Sequence, residues 1–223
     1  MRLPPVPGPG GEPTTYVYPV LSRRLGGVAV EVDLCPERTC NWRCVYCDVD
    51  GLQQGNTPDA DLDRLGAELA HVLEAVGEPE WLTAHAPAGR AELKAVTISG
   101  RGEPTTMFEI DKAVEGIVAA AAPELAPVLV TNGSMINKPK VRAALERIAA
   151  AGGEVWYKLD SMTKEGQARI NANTSILRQV RENLRIASKH CPTWIQTCVF
   201  QWKGEPPAEA ADKSDKSDKG DKS

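Results

Sequence analysis

Five strand-like runs separated by helix-like ones restrict the fold of this 223-residue chain more than any other feature. In Gly27–Leu34, Val28, Val30, Val32 and Leu34 recur at period two, and Leu93–Ser99, Pro127–Val130, Val155–Leu159 and Pro192–Gln201 are the later strands. Helical spacing links Leu62, Leu65, Leu69, Val72, Leu73 and Val76, a helix that Thr57-Pro58 would cap and that ends near Gly77. Further helices are marked by Ile110, Ala113, Val114, Ile117 and Val118, by Val141, Leu145 and Ile148, and by Leu177, Val180, Leu184 and Ala187 behind a cap at Thr174. Alternation of this kind without hairpin signals predicts an α/β fold, a parallel sheet covered by helices. In such sheets the loops at the carboxyl ends of the strands gather on one face, where ligands bind.

The polar motifs sit in those loops. After the first strand comes Cys40-Asn-Trp-Arg-Cys44-Val-Tyr46-Cys47, a Cys-x3-Cys-x2-Cys spacing; after the second comes Gly100-Arg-Gly102-Glu103-Pro104. Asn132-Gly133-Ser134 follows the third strand, and Lys158 and Asp160 end the fourth. Three thiolates are one short of the usual set for a cubane iron–sulfur cluster, so one iron would stay open to a ligand that is not protein. Two other readings use Cys35 as a fourth ligand. A structural zinc site is one, although only Cys44 and Cys47 have the knuckle spacing. A four-cysteine electron-transfer or sensor cluster is the other, although Cys35-x4-Cys40-x3-Cys44-x2-Cys47 matches neither common ferredoxin pattern.

Composition narrows the remaining classes. With 42% hydrophobic residues the chain can bury one substantial core, and six cysteines crowded unevenly do not lay out a disulfide framework. No run approaches the roughly 20 apolar residues of a membrane span and the Pro/Gly-rich start is no signal peptide, so a cytoplasmic, reduced setting is expected. Residues 1–15 read as a disordered arm, 16–204 as the core domain, and 205–223, a Lys/Asp/Ser repeat, as a disordered tail. A net charge of −4 gives no basic field for nucleic acid. Arg2, Arg23 and Arg24 against Glu12 nevertheless leave the first 24 residues at +2, which marks Arg23-Arg24 as either solvated surface or a phosphate or substrate contact.

The cysteine loop with an aromatic residue before its last cysteine resembles the radical S-adenosylmethionine superfamily, and Gly102-Glu103 matches that family's second, Gly-Gly-Glu-like element. Tyr18 to Gly26, together with Ser99 to Thr105, resembles the branch that holds wyosine-base synthase-like oxidoreductases; the resemblance covers about Tyr16 to Gly204. It implies a partial parallel (β/α) barrel, shortened here to about five β/α units. It also implies a [4Fe-4S] cluster on Cys40, Cys44 and Cys47 whose fourth iron is chelated by S-adenosylmethionine. One-electron reduction by an external flavodoxin- or ferredoxin-like donor then yields a 5′-deoxyadenosyl radical that takes hydrogen from a substrate.

On the same resemblance Tyr46, Gly102, Glu103, Asn132, Ser134, Lys158 and Asp160 are the cofactor contacts, and no catalytic acid, base or nucleophile is assigned. The substrate is unknown; a modified nucleoside or RNA base belongs to the branch. Wyosine synthesis itself is disfavoured, because no cysteine precedes Cys35 to hold a second cluster. A sixth strand is missing from the pattern, so a partner or dimer mate would cover the open barrel edge, or the chain would be a binding-only relative. Cys191 and Cys198 read as core residues, Trp42 and Trp156 as packing, and His71, His85 and His190 take no ligand role.

Overall fold

The computed structural model describes residues 1–172 and 177–201. In chain order the elements are β1 (Val17–Ser22), β2 (Gly27–Asp33), β3 (Thr39–Cys40), β4 (Gln53–Gln54), α1 (Leu62–Gly77), α2 (Pro79–His85), β5 (Leu93–Ser99), α3 (Ile110–Ala120), β6 (Ala126–Thr131), α4 (Pro139–Ala150), β7 (Glu154–Lys158), α5 (Lys164–Asn171), α6 (Leu177–His190) and β8 (Thr193–Gln196). Six strands form one sheet in the order β1-β2-β5-β6-β7-β8, with every neighbour from β2 onward parallel. Its five parallel strands are those expected from the alternation, and the architecture is that of the shortened partial barrel that the resemblance implies. Among the described residues no helix is long and apolar enough to cross a membrane.

Four expectations need correction. The first is the absence of a hairpin: β1 pairs antiparallel with β2, Val17 opposite Val32 and Ser22 opposite Gly27, around a four-residue turn in which Gly26 has φ 71°. Its signal lay in Val17, Pro19 and Leu21, which bury alternately, with Pro19 tolerated because, among the described residues, the outer edge of β1 meets no further strand of the sheet, only the short Arg2–Val20 bridge.

The second concerns residues 1–15, which pack instead of fraying. Leu3 and Val6 join the core, the Leu3 N–H donates to Pro19 O at 3.2 Å, and the buried Glu68 carboxylate of α1 accepts from the Thr15 and Tyr16 N–H groups at 2.9 and 2.8 Å. Composition predicted disorder from too few apolar residues, but two well-placed ones and a buried carboxylate suffice.

Third, α1 is capped by Asp61, whose side chain accepts from Arg64 N–H at 3.0 Å; Thr57 is buried elsewhere. Fourth, β8 stops at Gln196, because Thr197 turns its hydroxyl to Leu159 O (2.8 Å) and Cys198 gives its N–H to Asp160 (2.8 Å). The expected cap at Thr174 and the 205–223 tail lie outside the described residues.

One face of the sheet is covered. α1 packs on α3, α3 on α4 and α4 on α6, enclosing Val30, Val32, Val96, Ile98, Leu129, Ile117, Leu145 and Ile148 in a single core. The opposite face carries Ala95, Val128, Val130 and Trp156 as a smaller apolar group that α1, α3, α4 and α6 leave uncovered. Against that face, and over the carboxyl ends of the strands, the polar loops assemble.

Candidate cofactor site in the cysteine loop

The cysteine loop is held at both ends by backbone hydrogen bonds. Its first strand, β3, pairs with β4, and its far side is tied to α5: Arg43 N–H donates to Asn171 O at 3.1 Å and Val45 N–H to Ile170 O at 2.8 Å. Cys44 and Cys47 form one turn, the Cys47 N–H donating to Cys44 O at 3.0 Å. The sulfurs are themselves hydrogen-bonded, since Trp42 N–H reaches Cys40 Sγ (3.4 Å) and Asn171 Nδ2 reaches Cys44 Sγ (3.3 Å). Donors on a sulfur are the kind of outer contact that orients a metal ligand and adjusts its electron density.

Two glycines let this loop approach the sheet. A Cβ on Gly102 would lie 1.9 Å from Thr39 O, and one on Gly100 would lie 2.6 Å from Cys35 Sγ. Sequence reasoning assigns Gly102 to close approach by a ligand, whereas the space it leaves is filled by the backbone immediately before Cys40. Thr57 completes the junction: its hydroxyl lies 3.2 Å from Thr39 O, 3.1 Å from Glu103 O and 3.2 Å from Cys35 Sγ, while its N–H donates to Thr106 Oγ1 at 2.8 Å. Asp33, fully buried at the end of β2, accepts from Arg101 Nε (2.5 Å), Arg101 N–H (3.0 Å) and Cys35 N–H (2.9 Å). The loop after β5 and the loop after β2 are therefore one hydrogen-bonded unit.

Glu103 is 2% exposed and is cradled by donors. Thr131 Oγ1 (2.6 Å), Thr105 N–H (3.0 Å) and the Thr105 hydroxyl meet Oε1, and Asn132 N–H meets Oε2 at 2.7 Å. Burial holds this carboxyl's pKa above the ordinary carboxylate value, and the four donors offset only part of that rise. Oε1 has three partners and Oε2 has one, so Oε2 retains capacity for another donor.

Cys40, Cys44, Cys47, Tyr46, Gly102, Glu103, Asn132 and Lys158 line one cavity of about 310 Å³, joined by Trp42, Leu52, Ser99 and Val130. Eight of the ten sequence-predicted site residues are thus brought together. Ser134 and Asp160 do not line it. Ser134 Oγ accepts from Asn41 Nδ2 (2.8 Å), and Asn132 Nδ2 donates to Asn41 Oδ1 (2.9 Å), so the loop after β6 is buttoned to the cysteine loop through Asn41. Asp160 accepts from the Tyr46 hydroxyl, from Asn171 Nδ2 (2.8 Å) and from Cys198 N–H (2.8 Å).

Asn41, Thr57, Asp33 and Asn171 are the residues that sequence reasoning missed. Only Asn41, inside the cysteine motif, carried any signal. Cys198, expected in the core, lines the cavity; Cys191 is in the core, and Cys35 is buried against Thr57, outside the cavity lining.

By type and number, the three thiols on this cavity wall are the donors that a group with three sulfur ligands and an open position would take. Burial pushes the Cys40 thiol up to about 12 and raises that of Cys44, so loading a metal here must displace protons. A lone zinc ion would need four donors within roughly 3.8 Å of one another, given Zn–S bonds near 2.3 Å. Among the described residues no three His, Cys, Asp or Glu, the three cysteines of the loop included, are grouped so as to hold one metal ion.

A family model described as "Radical SAM superfamily" matches residues 35–212. Among curated proteins, "GTPase Obg" of Brachyspira hyodysenteriae is 25% identical over 127 residues, 57% of this chain and 17% of that protein. A "UPF0026 protein" of Synechocystis sp. is 30% identical over 139 residues, 60% of this chain and 43% of that one. The chain spans less than half the length of the curated relatives it matches. It contains no Gly-x4-Gly-Lys-Ser/Thr run, so the GTPase name has no counterpart in its residues. Among solved structures, "Structure of TYW1 with a lysine-pyruvate adduct bound" superposes with a TM-score of 0.52 at 18% identity, covering 76% of this chain and 54% of that one, a likeness of fold.

Proposed function

As the chain belongs to the radical S-adenosylmethionine superfamily, we propose that its cavity holds a [4Fe-4S] cluster on Cys40, Cys44 and Cys47 with S-adenosylmethionine on the fourth iron. Members of the superfamily use those two cofactors and need an external reductant and a substrate. Bound together and given one electron by that reductant, they would supply reductive cleavage of a sulfonium C–S bond and so radical chemistry. The observation that carries the reading is the presence of three cysteines and the buried Glu103 on the walls of the same cavity.

The chain's residues then divide the work. Cys40, Cys44 and Cys47 bind as thiolates, with Trp42 N–H and Asn171 Nδ2 holding two of the sulfurs in place. Glu103 is a buried carboxylate whose hydrogen-bond partners are all hydroxyls or amides, so a cationic donor at Oε2 meets an uncompensated charge. The methionine ammonium is that donor in this reading. Trp42, Leu52 and Val130 supply an apolar part of the cavity wall, while Asn132, Lys158 and Tyr46 offer polar contacts on it. Ser134 and Asp160 act as positioning residues through Asn41 and Tyr46.

The substrate carries an unactivated C–H bond, and a modified nucleoside or RNA base fits the branch that the chain resembles. The edge strand β8, which has no further sheet neighbour among the described residues, supports a partner or dimer mate at the barrel edge: Trp194 and Ile195 are 63% and 57% exposed. The test of the reaction is anaerobic reconstitution with iron and sulfide, reduction with dithionite, and chromatographic assay for 5′-deoxyadenosine. A fully loaded protein that releases none would overturn it.

Glu103→Gln keeps the side chain's size and removes its charge. It is expected to weaken S-adenosylmethionine binding roughly tenfold to hundredfold, the equivalent of about 1.5–3 kcal/mol for one charge-assisted hydrogen bond. Titrating the cofactor against the spectrum of the reduced cluster measures this, and an unchanged affinity would move the ammonium elsewhere.

A four-thiolate electron carrier is the second reading, favoured by the position of Cys198 on the cavity wall. Cys198→Ala separates the two. The enzyme keeps its full iron content and its spectral response to S-adenosylmethionine, whereas a carrier that used this thiol would lose its cluster.

A further inference from the structure

The uncovered face of the sheet carries a second cavity, of about 560 Å³, whose walls include Glu31 of β2, Thr97 of β5, Trp156 of β7, Gln196 of β8 and the turn residues Arg23 and Arg24. It adjoins the cysteine cavity. Val130 lines both, and Ser99, on the wall of the first, donates to Glu31 Oε1 at 2.7 Å.

Thr97 is 5% exposed, and its hydroxyl has no hydrogen-bond partner among the described residues. A polar group buried in this way is costly to leave unpaired and calls for an explanation. Glu31 lies directly opposite Thr97 in the β2–β5 register; its Oε1 is used by Ser99 and Tyr18, and its Oε2 makes no hydrogen bond among the described residues. The neutral helical core lies on the far side of the sheet, so neither atom serves it.

At the other end of the cavity the charge is positive. The Arg24 guanidinium stacks over Trp156, 4.4 Å from the ring centre, and with the Gln196 amide oxygen turned toward it both Nη atoms donate at 3.1 Å. That fixes one guanidinium beside Arg23, which is exposed and makes no hydrogen bond or ion pair among the described residues. Such a pair at a cavity mouth is matched in charge to a carboxylate or a phosphate.

We propose that this cavity binds a small amino-bearing anion, its amino N–H groups on Glu31 Oε2 and Thr97 and its carboxylate or phosphate on Arg23 and Arg24. The proposal rests on the radical chemistry above only for the fate of the bound molecule. Binding itself is independent of the cluster.

The test uses the full chain, before and after cluster loading, and follows thermal unfolding and saturation-transfer NMR with four probes at millimolar concentration. O-phosphoethanolamine and γ-aminobutyrate should bind, and whichever raises the melting temperature more names the anion; ethyl phosphate and butyrate, which lack the amine, should not bind. Thr97→Val removes the unpaired hydroxyl without changing its shape, so the free protein should gain about 2–4 °C in melting temperature while losing the probe-induced shift. Glu31→Gln should lose the preference for the amine.

No binding of either amino-bearing probe, binding that survives Thr97→Val and Glu31→Gln unchanged, or a Thr97→Val protein that melts lower would each overturn the proposal. Failure of cofactor cleavage with probe binding intact would instead fall on the radical reading alone.

Discussion

Cys44→Ala is expected to lose most of the iron taken up on reconstitution and, with it, the S-adenosylmethionine cleavage proposed above, the largest effect expected from any single change in this chain. With Cys40 and Cys47 left, the cavity offers two sulfurs, and a cluster that needs three protein ligands to leave one iron open has no stable geometry. The loss should be confined to loading. Cys44 is only partly buried, and the loop around it is held by backbone bonds from Arg43 and Val45 to α5, so the variant should melt within a few degrees of the parent. Iron per chain after reconstitution and circular dichroism on the same sample separate the two quantities. Iron content equal to the parent's would mean that the cluster takes another thiol, and Cys198 is the one on that wall.

Gly102→Ala is expected to destabilise the fold and empty the site together. A methyl group there would sit 1.9 Å from Thr39 O and 3.0 Å from Cys35 Cβ, and neither neighbour is the far end of a flexible side chain. The Glu103 N–H to Thr39 O bond, 3.2 Å, would break as the two loops separate. Overpacking of this kind costs about 1–3 kcal/mol and more where backbone must move. At the upper value the melting temperature falls by about 6–12 °C for a chain of this size. Iron loading should fall with it, because Cys40 is the next residue along the displaced strand. A Gly102→Ala protein that melts like the parent but no longer binds S-adenosylmethionine would instead make Gly102 a ligand-approach residue.

These two positions show how differently the site could be read in advance. That the cysteines share one cavity wall was legible because three thiols within eight residues stay close together whatever the fold, in the local spacing that metal chemistry would use. Gly102 was legible as a glycine with a purpose, but its purpose was not, because nothing in a Gly-x-Gly-Glu turn tells which backbone will occupy the space. Thr57 was misread as a helix cap for the same reason. A threonine before a proline has a local role to offer, and here two carbonyls from distant loops claimed its hydroxyl first. Asp160 and Ser134 were placed correctly after their strands, but their side chains satisfy Tyr46 and Asn41 of the cysteine loop.

The fold followed a similar division. The five parallel strands and the helices over α1, α3, α4 and α6 follow from hydrophobic periodicity, which is set by each element's own geometry. Three features escaped it. β1 is an edge strand interrupted by Pro19, and α5 owes its place to backbone contacts with the cysteine loop more than to an apolar stripe. The opening segment has too few apolar residues for a composition argument to register Leu3 and Val6.

The sequence by itself therefore determined the class of fold, the three cysteines proposed as sulfur ligands and the face on which they gather, since each depends on residue type and on spacing within one segment. Only the tertiary structure decided what supports them: Glu103 gripped by Thr105, Thr131 and Asn132, Gly102 closed over Thr39, and Thr97 left unpaired beside Glu31 on the uncovered face. Apart from Glu103 and Thr105, which are two residues apart, those are relations between residues 28 to 66 positions apart, or between an atom and the absence of a neighbour among the described residues. They exist only once the chain has closed and the hydrogen-bond partners of every buried group have been chosen.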